Sequence, residues 1–152
     1  MSNSDLGRRD FLAAGAAIGA MAAIPGQAMA QTQKKPPRLS VFALDIYSGK
    51  PAEGMRVDLS RLERNEYRSV KTVRINSTGN TDEPVFNAAS MATGDYEFLL
   101  HFDDYFRDIK ARLPAEPFLK KVPIRFTITD TAQVYHIPVL LTPWSYNAYR
   151  GS

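Results

Sequence analysis

The 152-residue chain contains no cysteine, which excludes disulfide-stapled folds, cysteine zinc sites, c-type haem attachment and thiol nucleophiles. It also lacks a strong excess of one charge, since 19 Lys and Arg face 16 Asp and Glu for a net charge of +3. The basic residues are scattered, so nucleic acid is not an expected partner. With 44% apolar and 23% charged residues, the composition is that of one globular domain rather than of a disordered or fibrous chain.

The N-terminus lacks an apolar run long enough to cross a bilayer. The Ala- and Gly-rich run at residues 12–24 is shorter than the roughly 20 residues required, so no stable membrane anchor is expected. It follows the twin arginines Arg8 and Arg9, and residues 28–30 read Ala-Met-Ala, which a signal peptidase accepts. The alternative, a buried helix, is disfavoured because alanine and glycine give it little surface to bury. The pattern resembles a Tat signal and predicts a cleaved export peptide at residues 1–30 and a periplasmic protein.

The rest of the chain divides into a linker and a domain. Residues 31–37 are polar and end in two prolines, as is typical of a linker. Within residues 38–152, apolar and polar side chains alternate with a period of two, for example at residues 122–128, and this predicts β-strands. A short helix is expected to begin with Asp103 as its cap and to run to about Leu113. The pattern predicts an antiparallel β-sandwich with one short helix.

One predicted strand is apolar on both faces. In residues 134–141, Tyr135 and Ile137 alternate with His136 and Pro138. A sheet in a two-layer sandwich turns only one face to the core. The face that carries His136 is therefore expected to be covered by another subunit, which predicts an oligomer.

The chain has two histidines, and their spacing is not that of metal ligands, so no metal site is expected. His101 lies on the strand face opposite Phe98 and Leu100 and is interpreted as a partly exposed histidine without a role in chemistry. His136 is either a hydrogen-bonded structural group or a general acid and base. Its position alone leaves both interpretations open.

The C-terminal residues resemble a known family. Residues 135–146 read YHIPVLLTPWSY and residues 149–152 read YRGS, which is similar to the C-terminal signature of the transthyretin-like 5-hydroxyisourate hydrolases. Further matches at residues 39–45 and 94–97 extend the resemblance over most of the domain. The resemblance implies a transthyretin-like sandwich of seven to eight strands and a homotetramer, a dimer of dimers with its sites between dimers. It implies no cofactor.

The resemblance also implies a reaction and a set of site residues. The family opens the ring of 5-hydroxyisourate, a product of urate oxidation in purine catabolism, by water attack on a carbonyl. His136 matches the second of the family's two histidines and, with Ser152, is expected to be catalytic. Tyr149, Arg150 and Gly151 match the terminal motif and are expected to bind the small-molecule substrate.

Two positions depart from the family pattern. Phe42 stands where the family has its first histidine, and Asn80 follows Gly79 where the family has an arginine. Phenylalanine cannot exchange a proton, and asparagine can donate a hydrogen bond but carries no charge. Both residues are expected to contact substrate or ligand. Two functions follow: hydrolysis of 5-hydroxyisourate or a related cyclic amide or ureide, or binding of an apolar ligand by a catalytically silent, transthyretin-like periplasmic protein.

Overall fold

Strands of alternating polarity build two four-stranded sheets that enclose one core. The computed structural model describes residues 35–151, so the expected export signal at residues 1–30, residues 31–34 of the linker and the terminal Ser152 lie outside the described residues. The elements in chain order are β1 (Arg38–Asp45), β2 (Lys50–Pro51), β3 (Arg56–Glu63), β4 (Glu66–Arg74), β5 (Gly94–His101), α1 (Phe102–Asp108), β6 (Lys121–Ile128), β7 (Val134–Leu141) and β8 (Tyr146–Ala148). No helix among the described residues is long and apolar enough to cross a membrane.

The strand order confirms the predicted sandwich and corrects one detail of it. Sheet A has the order β2-β1-β7-β8, and sheet B has the order β4-β3-β5-β6. All neighbouring strands are antiparallel except β1 and β7, which run parallel over eight residue pairs. Parallel neighbours require a long connection between them, and here that connection contains the whole of sheet B.

The core lies between the sheets and takes one face of β1, β3, β5 and β7. Sheet A contributes Leu39, Val41, Ala43, Tyr135, Ile137, Val139 and Leu141, and sheet B contributes Val57, Leu59, Tyr96, Phe98 and Leu100. All are less than 10% exposed. Because successive side chains of a strand point to opposite faces, the remaining side chains of β1 and β7 form the outer face of sheet A.

The helix is shorter than expected and has a different cap. It begins at Phe102 after His101, which makes no side-chain capping hydrogen bond, so the prediction of Asp103 as the cap was wrong. It ends at Asp108 instead of near Leu113 because Lys110 adopts a left-handed backbone with φ 54°. The amides of Lys110 and Ala111 then bond the carbonyls of Arg107 and Phe106, which is the Schellman arrangement that closes a helix.

His101 is buried, which corrects the expectation of a partly exposed side chain. It is 5% exposed at the end of β5. Its Nε2 lies 2.8 Å from Asp58 Oδ2 on β3, and its Nδ1 lies 3.2 Å from Asp104 Oδ2 on α1. The cluster therefore joins two strands of sheet B to the helix. Burial disfavours the charged Asp58 carboxylate, but hydrogen bonds from Arg56, Thr72 and His101 outweigh that effect and lower its pKa to about 2.

The Asp58 cluster predicts acid-dependent stability. A carboxyl whose folded-state pKa lies near 2 and whose ordinary value is 3.8 stabilises the fold above about pH 4 and loses that contribution as the pH falls toward 2. We expect Asp58→Asn to lower the melting temperature at pH 7 by roughly 5 °C, because three hydrogen bonds lose a charged acceptor. Thermal melts from pH 2 to 7 measure this.

The matched control is Asp108→Asn, which removes an exposed carboxylate at the end of α1 and is expected to shift the melting temperature by no more than about 1 °C. A constant difference between wild type and Asp58→Asn at every pH would contradict the assignment.

Candidate functional site

The parallel pairing of β1 and β7 assembles the outer face of sheet A. Its register sets Ser40 opposite His136 and Phe42 opposite Pro138. The side chains of all four residues point to the outer face of sheet A, because the residues before and after each of them lie in the core. The register thus brings together positions that lie almost a hundred residues apart in the sequence.

The end of the chain returns to the same face. After β8, the Gly151 amide donates to the His136 carbonyl at 2.8 Å, and the two residues form an antiparallel bridge. A Cβ atom at position 151 would lie only 2.8 Å from Cδ2 of the His136 ring. Glycine therefore lets the backbone lie against the imidazole. Ser152, expected to be catalytic, follows directly but lies outside the described residues.

The His136 ring is oriented from one side. Its Nδ1 lies 2.9 Å from Ser40 Oγ, and within residues 35–151 its Nε2 has no hydrogen-bond partner. Burial lowers the pKa of His136 below its ordinary value of 6.5, and the positive charges of Arg38 and Lys35 lower it further. The imidazole is therefore neutral at pH 7 and able to accept a proton.

A cavity of about 270 Å³ opens beside this histidine. It is lined by Arg38, Ser40, Val41, Asn80, Thr81, Pro84 and His136. Asn80 reaches it from the loop between β4 and β5, but its side-chain amide donates to the carbonyl and hydroxyl oxygens of Thr78. In this loop conformation, the side-chain amide of Asn80 is therefore hydrogen-bonded within its own loop.

Phe42 packs under that loop. A Cβ atom on Gly79 would lie 2.6 Å from Phe42 Cε2, so the ring fills the space that glycine leaves open. Gly79 also has φ 84°, a left-handed conformation that favours glycine, and its carbonyl accepts the Ala43 amide at 2.8 Å. Phe42 is not among the residues that line the cavity beside His136. Its contact holds the loop against β1.

The other terminal residues contact a different part of the chain. The Tyr149 amide donates to the Pro138 carbonyl, and its side chain is exposed. The guanidinium of Arg150 lies 4.7 Å above the Tyr135 ring and donates to Gln133 Oε1 at 2.6 Å. Tyr149 and Arg150 line a separate cavity against β6. Within one chain, the structure thus brings His136, Asn80 and Gly151 together but not the Arg150 side chain.

Five of the seven lining residues were not predicted from the sequence, and two of the five, Ser40 and Arg38, bring polar groups from β1. Both lie on the outward series of β1, and period-two alternation could have identified that face. Their proximity to His136 was not predictable in the same way, because it depends on pairing across 96 residues.

Comparison with protein families gives one match that covers most of the chain. The model of the HIUase/Transthyretin family matches residues 39–151. A protein of Rhizobium meliloti strain 1021 named 5-hydroxyisourate hydrolase 2 is 45% identical over 115 residues, which are 76% of this chain and 96% of the relative. The 5-hydroxyisourate hydrolase of Deinococcus radiodurans is 43% identical over 116 residues, 76% of this chain and 97% of the relative.

Solved structures give a consistent result. The Klebsiella pneumoniae 5-hydroxyisourate hydrolase superposes with a TM-score of 0.62 at 30% identity, covering 76% of this chain and 99% of that one. An (S)-allantoin synthase gives a TM-score of 0.71 at 32% identity over 78% of this chain. The match covers only 45% of the allantoin synthase chain.

The environment of His136 predicts an acidic shift in its titration. We expect a ¹H NMR titration to give a pKa below 6.5, with the resonance assigned by its loss in His136→Gln. Because the folded-state pKa lies below the unfolded-state value, protons bind preferentially to the unfolded chain, and the contribution of this group to stability falls as the pH drops through 6.5. Arg38→Gln removes a nearby positive charge and should move the pKa upward. A wild-type midpoint at or above 6.5 would rule out this environment.

Proposed function

We propose, because the chain belongs to the HIUase/Transthyretin family, that it catalyses the hydrolytic ring opening of 5-hydroxyisourate or a closely related cyclic ureide. The observation that carries the proposal is that the imidazole of His136 lines a cavity of about 270 Å³ beside the returning chain end. Two relatives that match almost along their full length are named 5-hydroxyisourate hydrolases.

The site residues support a general-base reaction. In the proposed step, His136 Nε2 takes a proton from a water molecule while the water oxygen bonds to a ring carbonyl carbon. The carbon–nitrogen bond of the ring then breaks, and the imidazolium returns the proton to the departing nitrogen. The Ser40 hydroxyl, at 2.9 Å from Nδ1, keeps the ring orientation fixed through both steps.

The two departures from the family pattern set the expected rate. Phe42 supplies no second imidazole, and the Asn80 amide is hydrogen-bonded to Thr78. The loss of one preorganised polar group from an active site commonly costs roughly 10²–10³ in rate. We therefore expect measurable but slow turnover.

A second candidate, ligand binding without catalysis, is favoured by the apolar outer face of sheet A. Phe42, Leu44, Pro138 and Leu140 share this face, and neither Phe42 nor Pro138 can donate or accept a proton there. In this candidate, the apolar side chains bind an apolar or aromatic ligand in a channel between dimers.

Assembly and location are part of the same proposal. We expect a homotetramer in which a second copy covers the outer face of sheet A, because Phe42, Leu44, Pro138 and Leu140 share that face. The twin arginines and the Ala-Met-Ala sequence at residues 28–30 support export to the periplasm by the Tat route.

The test is the decay of freshly prepared 5-hydroxyisourate, followed by absorbance, with protein that begins at residue 31 and carries no C-terminal tag. A tag would extend the chain end that lies against His136. We expect decay faster than the spontaneous rate. We also expect the double variant Phe42→His/Asn80→Arg to increase kcat/KM by at least roughly 10², since it restores an imidazole and a guanidinium.

The matched control is Phe118→His, which introduces an imidazole at a position where the native side chain is 76% exposed. It should not change the rate. If the wild type does not accelerate decay, the hydrolase proposal is wrong and the ligand-binding candidate takes its place.

A further inference from the structure

Arg38 lies in the site although no motif drew attention to it. It is the first residue of β1, two positions before Ser40 and therefore on the same face of the strand. It lines the cavity together with His136 and Asn80. A guanidinium thus reaches the cavity from a strand, whereas the family pattern places an arginine in the loop at position 80.

One polar atom of Arg38 lacks a partner among the described residues. Its Nε is buried and has no hydrogen-bond partner within residues 35–151. Arg38 also takes part in none of the ion pairs found among these residues. Burying a charged donor without a partner costs folding free energy, so native proteins rarely retain one without a functional reason. Because the side chain that carries this donor also lines the cavity, a ligand there would bond the guanidinium.

The charge of the cavity defines what that ligand would be. With His136 neutral, Arg38 is the one side chain with a full charge among the described residues that line the cavity, and none of those residues is acidic. The cavity therefore favours an anionic oxygen or a carbonyl oxygen that becomes anionic during reaction. Water attack on a ring carbonyl produces such an oxygen.

We propose that Arg38 binds the reacting carbonyl of the substrate and stabilises the oxyanion that forms on it. The inference rests on the proposed function and names a substrate-contacting residue for it. It also accounts for the asparagine at position 80, where the family has an arginine. If β1 supplies the guanidinium, the site does not need a second one from the loop.

Two variants test the proposal in the mature protein, Arg38→Gln and Arg38→Lys. We expect Arg38→Gln to lower kcat/KM for 5-hydroxyisourate by roughly 10², with a larger effect on kcat than on KM, because the developing charge is stabilised more than the substrate. Arg38→Lys should be intermediate, since it retains the charge but not the planar fork. Calorimetric titration with urate, a stable anionic analogue, should show roughly tenfold weaker binding to Arg38→Gln.

Arg68→Gln is the matched control, because it removes the same charge from an exposed position on β4 of the other sheet. It should leave both measurements unchanged. Thermal melts separate function from structure: removal of an orphan buried donor should keep or raise the melting temperature of Arg38→Gln, whereas a purely structural arginine would lower it.

The outcomes distinguish the two proposals. If the wild type is active and Arg38→Gln matches it in kcat/KM, the role of Arg38 is overturned and the hydrolase function stands. If the wild type does not accelerate decay, the hydrolase function fails, and the urate titration decides the role of Arg38. In that case, equal binding by wild type and Arg38→Gln, or no binding by the wild type, overturns the anion site as well.

Discussion

The parallel register between β1 and β7 is the constraint on which the site depends. It sets Ser40 beside His136 and directs the alternate side chains of both strands into the core. A shift of one residue in either strand would exchange its core and outer faces, so burial of Leu39, Val41, Tyr135 and their neighbours also fixes the site. The same packing that stabilises the sandwich therefore positions the imidazole, with no separate device required.

Two features of the site lower the stability of the fold. Arg38 keeps a buried nitrogen that has no partner within residues 35–151, and its positive charge disfavours protonation of His136. By contrast, the buried histidine on the other sheet, His101, has a carboxylate on each ring nitrogen. The satisfied histidine joins structural elements, whereas the partly satisfied one faces a cavity. This contrast is the physical basis for assigning chemistry to His136 and a structural role to His101.

Local patterns predicted the fold better than they predicted the site. Period-two alternation, as at residues 122–128, predicted strands because the pattern depends only on residues that are close in the sequence. The end of the helix depended on the left-handed backbone of Lys110, and the burial of His101 depended on Asp58, 43 residues away. His136 was predicted from the resemblance of residues 135–146 to a family signature. Arg38 was not found, because its environment exists only once β1 pairs with β7.

The most direct test of this account is the initial rate of 5-hydroxyisourate decay with His136→Gln, compared with the wild type at equal concentration. Glutamine keeps a polar group on β7 but cannot accept a proton at neutral pH. We expect the rate to fall to that of the spontaneous reaction while the melting temperature and circular dichroism spectrum stay close to those of the wild type. A folded His136→Gln variant with the wild-type rate would contradict it.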